Sequence, residues 1–292
     1  MKKRKTVSLA LGSGGARGLA HIGIIHWLEE NGYAVRSIAG SSMGALVGGI
    51  YAIGKLDEYE NWVRAVTKAD MVRLLDLSLG TDGLFKGDRI INTLKGLVGD
   101  SRIEDLPIHF TAVAANISRS KEVWFDSGPL FDAIRASISM PIFFTPFMHN
   151  GEALVDGGLL NPLPIAPTFR DQTDVTIAVN LHGAPEAGVH TRLLEEKPEP
   201  ASPLTGAVTE FVNKVRAAIP KGSMTIRAMD IVSQSFDTMQ GTIARQKIAI
   251  YPPDYLLEMP KNICGVMEFD KAGPLIRYGY NMAAAKLPSA LK

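Results

Sequence analysis

The feature that most constrains this chain lies near its start, where two short apolar runs each empty into glycines and then into a helical pattern. Val7-Ser8-Leu9-Ala10-Leu11 shows no alternation, as expected of a strand buried on both faces of a parallel sheet. It leads into Gly12-Ser13-Gly14-Gly15-Ala16-Arg17-Gly18. Leu19, Ile22, Ile25, His26 and Leu28 then mark one side of a helix that ends at Asn31-Gly32, a suitable C-cap pair. A second apolar strand, Val35 to Ala39, completes a βαβ unit. Behind it Gly40-Ser41-Ser42-Met43-Gly44 turns sharply into a helix carrying Ala45, Leu46, Ile50 and Ile53. Such a beginning predicts an α/β domain whose glycine loop and Ser42 share the carboxyl edge of the sheet.

Gly40 and Gly44 flank Ser42 because a nucleophile on so tight a turn needs neighbours without Cβ atoms. Ser42 is expected to be exposed, at a helix N-terminus. A bare G-x-S-x-G pattern is weak, but the strand before it and the helix after it make Ser42 a candidate nucleophile. The glycine loop fails the dinucleotide test: the third glycine should be residue 17, which is Arg17, and Arg36 stands near the expected acidic position. No Gly-Lys-Ser/Thr marks a phosphate loop either. What the loop offers is backbone N–H groups turned toward one point at a helix N-terminus, the arrangement an oxyanion requires.

The rest of the chain reads as further sheet and helix. Tyr51 to Asp105 is mixed helix and loop, with Trp62, Val63 and Val66 as core positions and no legible function. His109 to Asn116 and Glu122 to Phe125 are predicted strands, and Phe131 to Ser137 a short helix stopped by Pro141. Gly151 to Asp156 is a strand ending in Asp156-Gly157-Gly158. Asp-Gly is commonly just a turn, but beside the other two loops Asp156 becomes a candidate base. Thr173 to Asn180 is another strand, with His182 just beyond it. Gly183 to Pro203, rich in Pro, Glu and Gly, reads as a loop. Helical spacing follows at Val208, Phe211, Val212, Val215 and Ile219, and again at Met229, Val232, Phe236, Met239 and Ile243. Packing is the expected role of both helices, rather than a lid over 183–222 or membrane contact. Asp254 to Met259 supplies a late strand and Asp270 to Lys286 a closing helix.

One domain over 1–292 is expected, with a motif-bearing core about 6–182 and a C-terminal helical region about 204–292. The 31 basic and 30 acidic residues nearly cancel, which argues against a nucleic-acid partner. Lys2-Lys3-Arg4-Lys5 reads as a solvated tail. The apolar run after it is too short for a signal peptide, and nothing reaches the roughly 18 apolar residues of a membrane span. A lone cysteine, Cys264, excludes an intrachain disulfide and a thiolate metal cluster. The expected location is the cytoplasm, with any membrane contact peripheral, and no cofactor or metal is expected.

Gly14-Gly15-Ala16-Arg17-Gly18, Gly40-Ser41-Ser42-Met43-Gly44 and Asp156-Gly157-Gly158, in that order, resemble the motifs of the patatin-like phospholipases. Ala136-Ser137-Ile138-Ser139-Met140-Pro141 and Phe144 resemble the block before that family's aspartate. The likeness runs from Val7 to about Asn180 and is nearest to bacterial members similar to the catalytic domain of neuropathy target esterase. It departs at Ser13, where many members carry glycine, and at Asn116, where an aspartate is expected. The resemblance implies a three-layer α/β/α fold with a mostly parallel sheet. It further implies a Ser42–Asp156 dyad that cleaves carboxylic esters of (lyso)phospholipids or related lipids through an acyl-enzyme. The N–H groups of Gly14, Gly15 and Met43 are the expected oxyanion donors, and Arg17 is expected to hold the loop by an ion pair rather than meet a lipid phosphate. A carboxylate near its ordinary pKa of about 4 is a poor base, so the site has to perturb Asp156. Two alternatives stand beside the dyad: a Ser-His-Asp esterase using His182 or His190, and a lipid-binding regulator without turnover. An apolar pocket is expected from Met140, Phe143, Phe144 and Phe147, with a plain core cluster as the alternative.

Overall fold

The computed structural model describes residues 4–67, 70–71, 86–141, 143–194 and 223–290. The glycine loop and serine turn join strand β1 (Lys5–Leu11), helix α1 (Ala20–Glu30), strand β2 (Tyr33–Ser41) and helix α2 (Met43–Ala52). Helices α3 (Leu56–Ala65) and α4 (Asp88–Val98) follow, then strands β3 (His109–Asn116) and β4 (Lys121–Phe125) and helix α5 (Leu130–Ser137). Strands β5 (Phe147–His149), β6 (Glu152–Asp156) and β7 (Val175–Gly183) lead to helices α6 (Val189–Leu194) and α7 (Ser223–Ile250). Strand β8 (Tyr255–Pro260) and helix α8 (Ala272–Lys286) close the chain.

Among the described residues one eight-stranded sheet forms, in the order β5-β6-β3-β2-β1-β7-β8, with β4 also on β3. The run from β3 to β8 is parallel, while β4 and β6 lie antiparallel to β3. Alternation along the strands decides which layer each side chain meets. Leu9, Leu11, Ile177, Val179 and Leu257 face the large core shared with α1, α2 and α8. Ala10, Ala178 and Leu256 face the opposite layer, where Ala244, Ile248 and Tyr251 cover them. The architecture is therefore three-layer α/β/α, as the glycine-punctuated βαβ beginning requires.

One register detail creates the site. Residues 112 and 113 of β3 pair with β4 on one edge and with Gly40 and Ser41 of β2 on the other. At Ala114 the second edge passes to β6, whose partner there is Asp156. Strand β2 thus ends where β6 arrives, and residues far apart in the chain meet end to end on one edge of β3.

Several boundaries differ from the sequence reading. Strand β7 runs on to Gly183, so His182 lies inside the strand rather than beyond it. Helix α6 occupies part of the stretch expected to be loop, and β5 was not anticipated. Lys5, assigned to a tail, opens β1. The helix expected over Val208 to Ile219, and residues 195–222 of the stretch weighed against a lid, lie outside the described residues.

Candidate active site

Ser42 occupies the turn between β2 and α2 with φ 56° and ψ −121°, a left-handed φ that is costly for a residue with a side chain. The surroundings hold it there. Its N–H donates to Ser137 Oγ at 2.9 Å, and that hydroxyl donates to the Val113 carbonyl at 2.6 Å. Gly40 and Gly44 allow the turn to close, since a Cβ on Gly44 would lie 2.0 Å from the Leu11 carbonyl oxygen and one on Gly40 2.4 Å from the Gly44 carbonyl. Ser42 is only 4% exposed, contrary to the open position expected from sequence. Ser42 borders two cavities and is otherwise enclosed.

Asp156 ends β6, and its carboxylate is held from two sides. Ser42 Oγ donates to Oδ2 at 2.6 Å, and the Gly158 N–H donates to Oδ1 at 2.7 Å. Its own N–H donates to the Ser139 carbonyl at 2.9 Å. Burial pushes its pKa from 3.8 up to about 6, against the pull of the two hydrogen bonds. The shift runs in the direction that the expected base role requires. Among the described residues, Asp156 is the hydrogen-bond partner of Ser42 Oγ.

The glycine loop lies beside the elbow. Gly15 has φ +56°, and a Cβ there would meet the Val266 carbonyl oxygen at 2.4 Å, so only glycine fits. Among the described residues the N–H groups of Gly14, Gly15 and Met43 have no hydrogen-bond partner. Gly18 packs against Met43, where an added Cβ would come within 2.4 Å of Met43 Cβ. Arg17 is buried, and each of its three nitrogens donates inside the protein: Nε to the Gly14 carbonyl at 3.1 Å, one terminal nitrogen to the Lys261 carbonyl at 3.0 Å, and the other to Asp237 at 2.5 Å. Of the three contacts, the Nε one reaches the loop itself, and the ion pair is made to Asp237.

His182 and His190, the histidines of the alternative triad, are occupied elsewhere. His182 Nδ1 faces Asp237 Oδ1 at 3.2 Å and its Nε2 faces Ser13 Oγ at 3.4 Å. His190 Nδ1 donates to the Ile263 carbonyl at 3.0 Å. Burial lowers the His182 pKa, only partly offset by Asp237. At Asp237 burial works upward, but the His182 hydrogen bond and the Arg17 charge hold the carboxyl well below the carboxylate range. Of the two departures from the motif pattern, Ser13 thus joins the polar cluster beside the loop. Asn116 does not reach the site: it donates to Glu152 at 2.6 Å and accepts from the Arg119 N–H at 3.0 Å, closing the β3–β4 turn.

Two cavities open from Ser42. One, of about 240 Å³, is bounded by the glycine loop, Arg17 and the α7 residues Phe236, Asp237 and Gln240. The other is an apolar cleft lined by Leu46, Tyr59, Trp62, Leu94, Phe143 and Phe144. Met140 and Phe143 border both. Phe147 lines neither; on β5, paired with β6, it packs with Ala114, Ala136 and Leu154, which corrects its place in the pocket in favour of the core-cluster alternative. Sequence reading also missed Asp237, the structural roles of Ser137 and Ser139, and the contribution of α3 and α4 to the cleft. The A-S-I-S-M-P block was the available signal for the two serines. Nothing local marks Asp237, which sits on an otherwise ordinary amphipathic helix.

The fold and site thus place a serine on a strand-to-helix elbow, hydrogen-bonded to a buried carboxylate, at the carboxyl edge of a three-layer α/β/α sheet. Residues 9–169 match the family model of patatin-like phospholipase. An uncharacterized NTE family protein of Mycobacterium tuberculosis is 37% identical, over 96% of this chain and 91% of its own length. Lysophospholipase nte1 of Emericella nidulans is 32% identical over 61% of this chain and 12% of that protein. The crystal structure of VipD from Legionella pneumophila aligns with a TM-score of 0.46 and 14% identity, covering 97% of this chain and 66% of that one. The chain belongs to the patatin-like phospholipase family, a family of lipid ester hydrolases. No described helix is long and apolar enough to cross a membrane.

Proposed function

We propose that this protein hydrolyses carboxylic esters of lysophospholipids or phospholipids through a Ser42–Asp156 dyad. The 2.6 Å hydrogen bond from Ser42 Oγ to a buried carboxylate carries the reading. Asp156 Oδ2 accepts the proton as Oγ attacks the ester carbonyl, and the tetrahedral oxyanion is received by the N–H groups of Gly14, Gly15 and Met43. Collapse breaks the bond to the alcohol, which leaves with the proton from Asp156. Water then attacks the acyl-enzyme, giving its proton to the same carboxylate, and the fatty acid departs as Oγ regains a proton. The α2 dipole and the loop amides favour negative charge at that point. A pKa raised to about 6 brings the base nearer to the optimum for proton transfer at neutral pH while leaving it mostly ionised there.

The apolar cleft suits the acyl chain, and the more polar cavity suits the glycerol and headgroup side. The lysophospholipase of Emericella nidulans suggests a single-chain phospholipid as the first substrate to assay. Contact with a bilayer is peripheral in this reading, and co-sedimentation with liposomes tests it. The decisive experiment is a lipid panel assayed with the wild type, Ser42→Ala and Asp156→Asn, with fluorophosphonate labelling mapped by peptide mass. Label on Ser42 and loss of at least about 10⁴-fold in kcat for Ser42→Ala are expected. Full activity without Ser42 refutes the dyad.

A further inference from the structure

Backbone hydrogen bonds tie the flanks of the glycine loop, from the N–H of Gly12 to the Val179 carbonyl, of Ser13 to Pro162 and of Ala16 to Val266, while the Arg17 and His182 side chains that reach the loop converge on one residue outside every recognised motif. A trans peptide directs its C=O and N–H in opposite directions. The carbonyl of Gly14 and the N–H of Gly15 belong to one such peptide. Arg17 Nε donates to that carbonyl at 3.1 Å, which turns the Gly15 N–H away from Arg17. Gly15, Arg17 and Ser42 all border the same cavity. The guanidinium is in turn gripped by Asp237 at 2.5 Å. At the other end of the loop, the carbonyl of Ser13 shares a peptide with the Gly14 N–H. Ser13 Oγ lies 3.4 Å from His182, whose second ring nitrogen is 3.2 Å from the same oxygen of Asp237.

We propose that Asp237 is a positioning residue for the reaction: from α7 it clamps Arg17 and His182, and through them sets the Gly14 and Gly15 amides on the developing oxyanion. Arg17 is 2% exposed, so without Asp237 its charge would be buried with only carbonyl partners and the loop would shift to relieve it. Donors aligned to the oxyanion act in the transition state and not on the bound ester, so their misplacement appears in kcat rather than in KM. The inference rests on the reading of Ser42 as nucleophile and of the loop amides as oxyanion donors.

The test is steady-state hydrolysis of a short-chain chromogenic ester by the wild type, Ser42→Ala, Arg17→Ala, Asp237→Ala, Asp237→Asn and the double variant Arg17→Ala/Asp237→Ala. Circular dichroism reports whether each is folded, and Thr238→Ala, on the exposed side of the same helix, is the control. Asp237→Ala is expected to lower kcat by about 100-fold with KM within about twofold, the scale of a misdirected oxyanion donor. Asp237→Asn keeps the shape and one acceptor, and is expected to lose about tenfold; it carries the test if the alanine variant does not fold. The double variant should be no worse than the more impaired single, because both residues act through one peptide. Wild-type kcat in folded Asp237→Asn, or an effect confined to KM, overturns the positioning role. A wild type as inactive as Ser42→Ala would instead overturn the reading of the site itself.

Discussion

Replacing Asp156 by Asn separates the stability of the protein from its activity, with a sign and a pH window that follow from the burial of the carboxyl. Its pKa is raised from 3.8 in the open chain to about 6 in the fold. A carboxyl raised by folding contributes its full stability below the lower value and loses it as pH rises through the upper one. Above pH 7 the wild type therefore carries an ionised, buried group that destabilises it by about 3 kcal/mol, from roughly two pKa units at about 1.4 kcal/mol each. In Asp156→Asn the amide oxygen can still accept from Gly158 and the amide N–H can donate to Ser42 Oγ, so the packing survives. Urea unfolding between pH 4 and 8 should show the variant gaining on the wild type by about 1.4 kcal/mol per pH unit between about 4 and 6, then levelling near 3 kcal/mol. His21, buried and lowered to about 4, makes both proteins less stable in acid and cancels in the difference. Activity moves the other way. The variant cannot take the serine proton, and in the wild type kcat/KM should rise tenfold per pH unit up to about 6 before flattening. A stability difference independent of pH, or one that shrinks as pH rises, refutes the raised pKa and with it the account of how this carboxylate serves as a base.

Other perturbations test the scaffold around that pair. Ser137→Ala leaves the Ser42 N–H and the Val113 carbonyl without a buried partner, and should cost about 2 kcal/mol in thermal unfolding together with a lower kcat. Gly44→Ala drives a Cβ to 2.0 Å from the Leu11 carbonyl oxygen, a backbone atom with no room to move. That variant should fail to accumulate as soluble protein, and wild-type melting would refute the geometry of the elbow. Trp62→Ala opens the apolar cleft and should raise KM for long-chain esters by about tenfold while leaving short-chain esters within about twofold, as measured across an acyl-length series.

The candidate site was legible because its residues sit in local patterns that geometry enforces. Gly40 and Gly44 around Ser42, and Gly157 after Asp156, occur where backbone must approach backbone, and Gly158 where the side chains of Ser13 and Gln240 crowd in, so composition over a few residues reports the turns. The βαβ order of the first fifty residues likewise required a parallel sheet, and the motif order implied the family. Helix α7 was legible as a helix but not as part of the site, since the phase that turns Asp237 toward Arg17 depends on how α7 seats on the sheet.

The sequence by itself determined the α/β class, most of the strands and helices, and the choice of Ser42 and Asp156, 114 positions apart, as the candidate pair. Only the tertiary structure decided that they touch, because β6 takes over the edge of β3 at Ala114 just where β2 ends at Ser41. It also decided their environment. Burial, which lifts the Asp156 pKa and sinks Ser42 to 4% exposure, is a property of everything packed around the pair and is written in no short stretch of chain. For the same reason His182, a fair candidate by order in the chain, lies instead between Ser13 and Asp237, beside the glycine loop.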